Sequence, residues 1–370
     1  MPHEYFNPVR SVYGAGALSS LPGLLAGRRA LLVTFPEARQ LGLVARIEAL
    51  LGDQLVGVID DVRPNPDVAE LAALYDAFWS GGSAAAEVII AVGGGSAIDT
   101  AKALMVATPS GRFAELVALL ASGTAFTPAR TKTLIAVPTT AGTGSEVTPW
   151  ATVWDRGAQK KYSLHLPETW PSIALIDPEL MLSLPASVTL QSGLDALSHA
   201  LESIWNVNAN PVSDTFAVAA VHEILDALPQ LMERLDDAAL RGRMALAALR
   251  AGMAFSNTRT ALAHSISYEM TLRYGLPHGI ACSFPLPMVL ERAIGQSPER
   301  DAVLERALGD LDAAPGRLVR FIETLGVRTR FADYGVSDDQ AQQMVAHALT
   351  GARGKNFIGT HTAAALKEAA

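Results

Sequence analysis

Five short apolar runs recur through the first half of the chain, and they constrain its fold more than any other feature. They are ALLVT (30–34), LVGVID (55–60), EVIIAV (87–92), TLIAVPT (133–139) and SIALID (172–177), rich in Val, Ile and Leu and bounded by Gly, Pro or Asp. A strand that is apolar on both faces must be covered on both faces. With helical stretches between the runs, this predicts a parallel sheet flanked by helices. After about residue 187 the strand signals stop. DTFAVAAVHEILDALPQLMERL and AALRGRMALAALRAGMAF carry apolar residues at three-to-four spacing, the pattern of amphipathic helices. A chain of 370 residues accommodates two domains. The expectation is an α/β domain over 1–187 and an all-α domain over 188–370. The boundary falls in LPASVTLQSG, where Pro185 ends one domain and Ser187 or Thr189 caps the next helix. Helices are predicted to the C-terminus, with a break at GARGKNF (351–357).

The first domain carries two glycine-rich loops directly after strands. In AVGGGSAIDTAK, Gly93, Gly94 and Gly95 allow close backbone approach to a ligand, and Ser96 opens a helix whose N-terminus favours an anion. Asp99 and Lys102 lie in that helix's first turns. The alternative for this loop is a tight strand-to-helix turn; three successive glycines exceed what a turn needs. The second loop, VPTTAGTGSEVT (137–148), offers the hydroxyls of Thr139, Thr140, Thr143 and Ser145, against the alternative of a plain surface loop. Ligands of open α/β sheets bind at such strand ends. YGAGALSS (13–20) has a similar look but follows no strong strand, so no nucleotide site is expected there.

The second domain supplies a different chemistry. Asp195 and His199 are four residues apart in SGLDALSHALESIW, a helical stretch, so their side chains share a face. His264 and His278 follow in ALAHSISYEMTLRYGLPHGIAC. One carboxylate and three imidazoles suit a divalent first-row metal such as Fe²⁺, Zn²⁺ or Co²⁺. Each histidine alone would read as an ordinary core or surface residue.

Composition narrows the partners. A net charge of −8 disfavours nucleic acid and anionic membrane, and requires a local basic pocket for any anionic substrate. The single cysteine, Cys282, rules out an internal disulfide framework and reads as a small buried residue. No basic-then-apolar leader and no 18-residue apolar stretch are present, so a cytoplasmic protein without membrane spans is expected.

GGGSAIDTAK, PTTAGTGSEVT, NANPVSD (208–214), the Asp195/His199 pair and the His264…His278 segment, in this order, resemble the iron-containing (group III) alcohol dehydrogenases over nearly the whole chain. The resemblance implies a Rossmann-like dinucleotide-binding domain joined to a helical domain, the dehydroquinate synthase-like fold, with the active site in the cleft between them. It implies metal ligands at Asp195, His199, His264 and His278, and cofactor contacts at Asn65, Gly94, Gly95, Ser96, Asp99, Thr139, Thr140 and Ser145. It further implies NAD or NADP as cofactor, a small aldehyde or alcohol as substrate, and a homodimer or larger assembly. Two departures stand out. Tyr268 occupies the place of a family histidine thought to move a proton, either as a proton donor or as a shaper of the pocket. Phe35 stands where NAD-preferring members carry Asp, so NADPH is open, with Glu37 nearby to favour NAD.

The segment NTRTALAHSISYEMTLRYGLPHGIAC is similar to the branch that reduces phosphonoacetaldehyde to 2-hydroxyethylphosphonate. Arg259, Arg353 and Lys355 are the cations expected to hold a phosphonate, with catalysis assigned to His264 and Tyr268. The competing readings are a generalist short-chain alcohol dehydrogenase, a maleylacetate reductase-like enzyme of the same fold, and a non-catalytic nucleotide- or metal-binding module.

Overall fold

A computed structural model describes residues 3–158 and 160–361; the remaining positions of the predicted 1–187 and 188–370 domains, including 362–370, lie outside the described residues. Among the described residues ten strands run in chain order: β1 (Arg10–Tyr13), β2 (Ala30–Thr34), β3 (Leu55–Ile59), β4 (Val88–Gly93), β5 (Val106–Ala107), β6 (Arg130–Thr131), β7 (Thr133–Pro138), β8 (Trp150–Asp155), β9 (Lys160–His165) and β10 (Ile173–Ile176). Six of them form one parallel sheet in the order β1-β10-β7-β4-β2-β3. The five predicted runs are five of these six strands.

β1 escaped sequence reading because it is an edge strand, largely exposed, with the residues RSVY. It precedes YGAGALSS after all. That stretch is nevertheless committed internally: the backbone N–H groups of Gly16 and Leu18 donate to the fully buried carboxylate of Asp177, and so are not available to a phosphate. The β8–β9 antiparallel hairpin was likewise not predicted.

Contacts divide the chain into two compact units. One comprises Pro8–Thr140 and Ser145–Met181 and contains the sheet. Apolar side chains cover both its faces. One cluster gathers Leu31, Val33, Ile89, Ala91, Leu134 and Ala136 with Tyr75, Phe78 and Phe113. The opposite cluster gathers Leu32, Val88, Ile90, Val92, Ile135 and Val137 with Val44 and Ile47. The alternation of successive residues between the two clusters is the period-two geometry of a strand. It explains why the runs are apolar throughout: each central strand is buried twice, at about 1.5–3 kcal/mol per large side chain.

The chain order reverses between β2 and β4: β2 continues outward to β3, whereas the chain returns past β2 to β4. In open α/β sheets a crevice forms outside the strand ends at such a reversal. β4 ends there in Gly93, followed by the Gly95–Leu104 helix. Gly93 is required at this point, because a Cβ would lie 2.6 Å from Cβ of Ala97.

Lys102 in that helix is fully buried and donates from Nζ to the carbonyl oxygens of Thr148 and Trp150, both at 2.7 Å. Burial pushes its ammonium down to about 8, against the attraction of Asp99 and Glu146. Lys102→Ala would leave those carboxylates without their cation and two carbonyls without a donor. The expected cost is about 3–5 kcal/mol, read as a lowered urea midpoint; an unchanged midpoint would remove Lys102 from the framework of this unit.

The other unit comprises Met1–Asn7, Ala141–Gly144 and Leu182–Ala370. Its described part is built around long helices Ala186–Ile204, Pro211–Glu233 and Ala238–Thr258, then Leu262–Tyr274 and His278–Ser283. The first begins at Ala186, directly after Pro185, and the predicted break at GARGKNF is a short 3-10 turn, Gly354–Asn356. Asn210 caps the second, accepting from the N–H groups of Val212 and Ser213, and Asp237 caps the third. Among the described residues no helix is long and apolar enough to cross a membrane.

Candidate functional site

In the sheet-containing unit the cofactor residues expected from sequence gather at the ends of β4 and β7, which are adjacent parallel strands. Gly94 caps the Gly95–Leu104 helix, leaving the first-turn N–H groups of Gly95 and Ser96 at an anion-favouring helix terminus. The Thr140 side chain lies against Gly94, where an added Cβ would come within 3.3 Å of its Cγ2, and the Thr139 N–H donates to the Gly93 carbonyl at 3.0 Å. Asn65, held at φ 61, donates its backbone N–H to Ser96 Oγ at 3.1 Å. Asn65, Gly94, Gly95, Ser96, Thr139 and Thr140 thus form one locus.

Asp99 and Ser145 have an internal role. Asp99 accepts from Ser145 Oγ at 3.2 Å and from the Thr152 N–H at 2.9 Å, tying the helix to the second loop and to β8. Burial raises its carboxyl, partly offset by Lys102. Phe35, after β2, lies beside Gly93, and Glu37 is exposed.

In the helical unit Asp195, His199, His264 and His278 converge although the last two lie 65 to 83 residues further along the chain than the first two. Asp195 Oδ1 stands 3.5 Å from His264 Nε2, 3.8 Å from His199 Nε2 and 3.9 Å from His278 Nε2. Ligands about 2.0–2.2 Å from a tetrahedral ion are separated by roughly 3.4 Å, so the spacing fits a shared cation. Asp195 Oδ1 and His264 Nε2 are also buried atoms with no hydrogen-bond partner. Such atoms are costly unless something binds them, and a divalent cation would satisfy both. Burial alone would raise the Asp195 carboxyl, but His199, His264 and His278 more than offset this and hold it below the ordinary carboxylate range. Burial pushes the His199 imidazole down to about 4, leaving the neutral ring that metal coordination requires. Its ring stacks on Phe255 at 4.1 Å and on His264 at 4.7 Å, which fixes its plane.

Sequence reading missed Glu202. It is fully buried, and its Oε2 accepts from His264 Nδ1 at 2.6 Å. The same carboxylate accepts the backbone N–H groups of Ala261, Ala263 and His264. Burial would raise the Glu202 carboxyl; His264 and these donors outweigh it and leave it lowered. A carboxylate on Nδ1 fixes the tautomer that presents Nε2 to a metal and raises its basicity. The signal was present: Glu202 lies seven residues after Asp195 and three after His199, on the same helical face, in an otherwise apolar stretch. Gly279 permits the approach of His278, since a Cβ there would overlap the Gln191 carbonyl oxygen.

Tyr268 is one helical turn after His264. The guanidinium of Arg353 lies 4.9 Å from its ring centroid and donates from Nε to Thr260 Oγ1 at 3.0 Å. Arg353 has no carboxylate partner among the described residues. Asn356 Nδ2 donates to the Thr260 carbonyl at 2.8 Å, anchoring the same loop. Lys355 is exposed. Arg259 is exposed too, but its backbone, at φ 67 and ψ 173, occupies a region nearly exclusive to glycine, at a cost of order 1–3 kcal/mol. Its carbonyl is held there by Asn206 Nδ2 at 3.0 Å and Thr258 Oγ1 at 3.1 Å.

Comparison with known proteins agrees with this arrangement. Residues 8–178 match the family described as iron-containing alcohol dehydrogenase, and residues 189–364 match its C-terminal domain. The chain is 31% identical over 281 residues to the NAD-dependent methanol dehydrogenase of Bacillus methanolicus, covering 74% of this chain and 72% of that protein. It is 37% identical over 226 residues to the phosphonoacetaldehyde reductase of Streptomyces viridochromogenes, covering 60% of this chain and 55% of that protein. The crystal structure of sulfoacetaldehyde reductase from Bifidobacterium kashiwanohense in complex with NAD+ superposes with a TM-score of 0.88 at 26% identity, covering 100% of this chain and 99% of the other. With a parallel-sheet nucleotide fold and a buried carboxylate–imidazole cluster beside these matches, the chain belongs to the iron-containing alcohol dehydrogenase family and is an alcohol/aldehyde oxidoreductase.

Proposed function

We propose that the protein interconverts a two-carbon aldehyde bearing an anionic oxyacid head group with its alcohol, phosphonoacetaldehyde being the leading candidate. The observation that carries this reading is Arg353. Its guanidinium is fixed by Thr260 and the Tyr268 ring, one turn from His264, and lacks a carboxylate partner among the described residues. A positioned guanidinium without a counter-ion suits bidentate binding of a phosphonate or sulfonate. In a chain of net charge −8 such a local cation is what an anionic substrate requires. The relatives support the class: one is named for phosphonoacetaldehyde and another for sulfoacetaldehyde.

A divalent cation, when held, would supply Lewis-acid polarisation of the carbonyl oxygen, and a nicotinamide would supply the hydride. Asp195, His199, His264 and His278 would hold the cation, and Glu202 keeps the His264 ring oriented. The helix terminus at Gly94–Ser96 would receive the pyrophosphate of NAD or NADP, with Thr139, Thr140 and Asn65 around it. Tyr268, with its ring pinned by Arg353, presents a phenol at the same helix face as His264 and can donate a proton to the developing alkoxide.

The test compares kcat/KM for phosphonoacetaldehyde, sulfoacetaldehyde and propanal, with NADH and NADPH in parallel. A preference of about a hundredfold for an anionic aldehyde corresponds to roughly 2.7 kcal/mol of transition-state binding. Arg353→Ala is expected to erase most of it by raising KM for the anionic substrates alone, while any loosening of the Tyr268 ring lowers kcat for all three aldehydes alike. Equal efficiency for all three aldehydes in the wild-type enzyme would establish a generalist alcohol dehydrogenase instead.

A further inference from the structure

Three consecutive backbone carbonyls just before the Leu262–Tyr274 helix each accept from an asparagine amide. Asn208 Nδ2 donates to the Thr258 carbonyl at 3.2 Å, Asn206 Nδ2 to that of Arg259 at 3.0 Å and Asn356 Nδ2 to that of Thr260 at 2.8 Å. The Val207 N–H in turn donates to the Asn356 carbonyl at 2.8 Å, joining the 206–208 turn to the GARGKNF loop. These ties hold Arg259 in its glycine-like conformation. A strained residue persists only where its surroundings over-determine it, and such places cluster where geometry is used.

What this turn places is the side chain of Thr260, only 8% exposed. Its Oγ1 accepts from Arg353 Nε at 3.0 Å. Nε lies on the flank of the guanidinium; the two Nη nitrogens form its end. With Nε occupied and the Tyr268 ring centroid 4.9 Å from Cζ, the direction of the group is set. Neither Nη nitrogen has a hydrogen-bond partner among the described residues. This end of the fork can meet two oxygens of one oxyanion.

We propose that Thr260 is a positioning residue that sets specificity: its hydroxyl occupies Arg353 Nε and so aims both Nη groups at the head group of an anionic aldehyde. The inference rests on the proposed role of Arg353 and says how that role is achieved. An unanchored arginine would lose rotamer freedom each time an anion bound; one already held by Thr260 and Tyr268 has less to lose.

Thr260→Val tests it, because the hydroxyl goes while the three asparagine ties to the main chain remain. KM for phosphonoacetaldehyde and sulfoacetaldehyde is expected to rise about tenfold relative to KM for propanal, the size of one hydrogen bond to a charged group. Any change in kcat is shared by all three aldehydes. Thr260→Ser is expected to restore the wild-type KM ratio. Since Thr260 acts through Arg353, adding Thr260→Val to Arg353→Ala should not move that ratio further. If Thr260→Val lowers the melting temperature, Arg353→Lys puts the same question without touching the turn. An ammonium has no pair of nitrogens to aim, so its ratio should approach that of Arg353→Ala. A wild-type ratio in Thr260→Val or in Arg353→Lys, no recovery in Thr260→Ser, or a full effect of Thr260→Val on top of Arg353→Ala overturns the role of Thr260 and leaves Arg353 as the substrate cation. A wild-type enzyme without preference for anionic aldehydes overturns the reading of Arg353 and this inference with it.

Discussion

His264→Ala is expected to abolish hydride transfer and metal retention together. Three interactions end at this one imidazole. Its Nε2 is 3.5 Å from Asp195 Oδ1, its Nδ1 is held by Glu202, and its ring stacks on His199. Loss of the ring would open the cluster at its centre and leave Glu202 buried without its partner. A Lewis acid contributes several kcal/mol to carbonyl reduction, and each ~1.4 kcal/mol is a tenfold change in rate. The expected loss in kcat/KM is therefore at least about a thousandfold. It should be accompanied by sub-stoichiometric metal after dialysis, measured by elemental analysis. A variant that keeps one equivalent of metal and a wild-type rate would refute the assignment of His264 to the centre.

Glu202→Gln is expected to have the second-largest effect. The substitution keeps the shape and removes the charge that His264 Nδ1 faces at 2.6 Å. It also places an amide nitrogen where the carboxylate accepts three backbone N–H groups. A mismatched buried donor costs about 1–3 kcal/mol, so the metal-free protein should unfold at lower temperature. The informative readout is metal affinity. Loss of a carboxylate behind a ligating histidine typically weakens binding about 10–100-fold, and activity should recover as free metal is raised. A lowered melting temperature with unaltered metal affinity would reduce Glu202 to a support for the 261–264 backbone.

Both effects depend on contacts across sixty or more residues of sequence, and this divides what could be read in advance from what could not. Asp195 and His199 were legible because helical periodicity alone puts positions four apart on one face. Glu202 obeyed the same rule and was overlooked, because a glutamate in a helix ordinarily signals a solvated face. The burial of Cys282 was anticipated, but nothing local shows that its sulfur comes within 4.8 Å of side-chain polar atoms of Asp195 and His264. Arg353 was legible only as a charge. Its pairing with Tyr268 and Thr260 joins residues about ninety apart.

By itself the sequence determined five of the six strands of the sheet, their parallel arrangement, the glycine loops at their ends and the chemical types of the site. Each of these is a property of a short window: strand and helix periods, glycine's lack of a Cβ, the donor atoms of Asp and His. Only the tertiary structure decided which donors meet. Convergence of Asp195 with His264 and His278 requires the Ala186–Ile204 and His278–Ser283 helices to approach so closely that Gly279 leaves no room for a Cβ against Gln191. It also left Asp195 Oδ1 and His264 Nε2 buried together without partners. That state is set by packing across the fold and is absent from any local pattern, because the energy of a buried polar atom depends on what surrounds it and not on its neighbours in sequence.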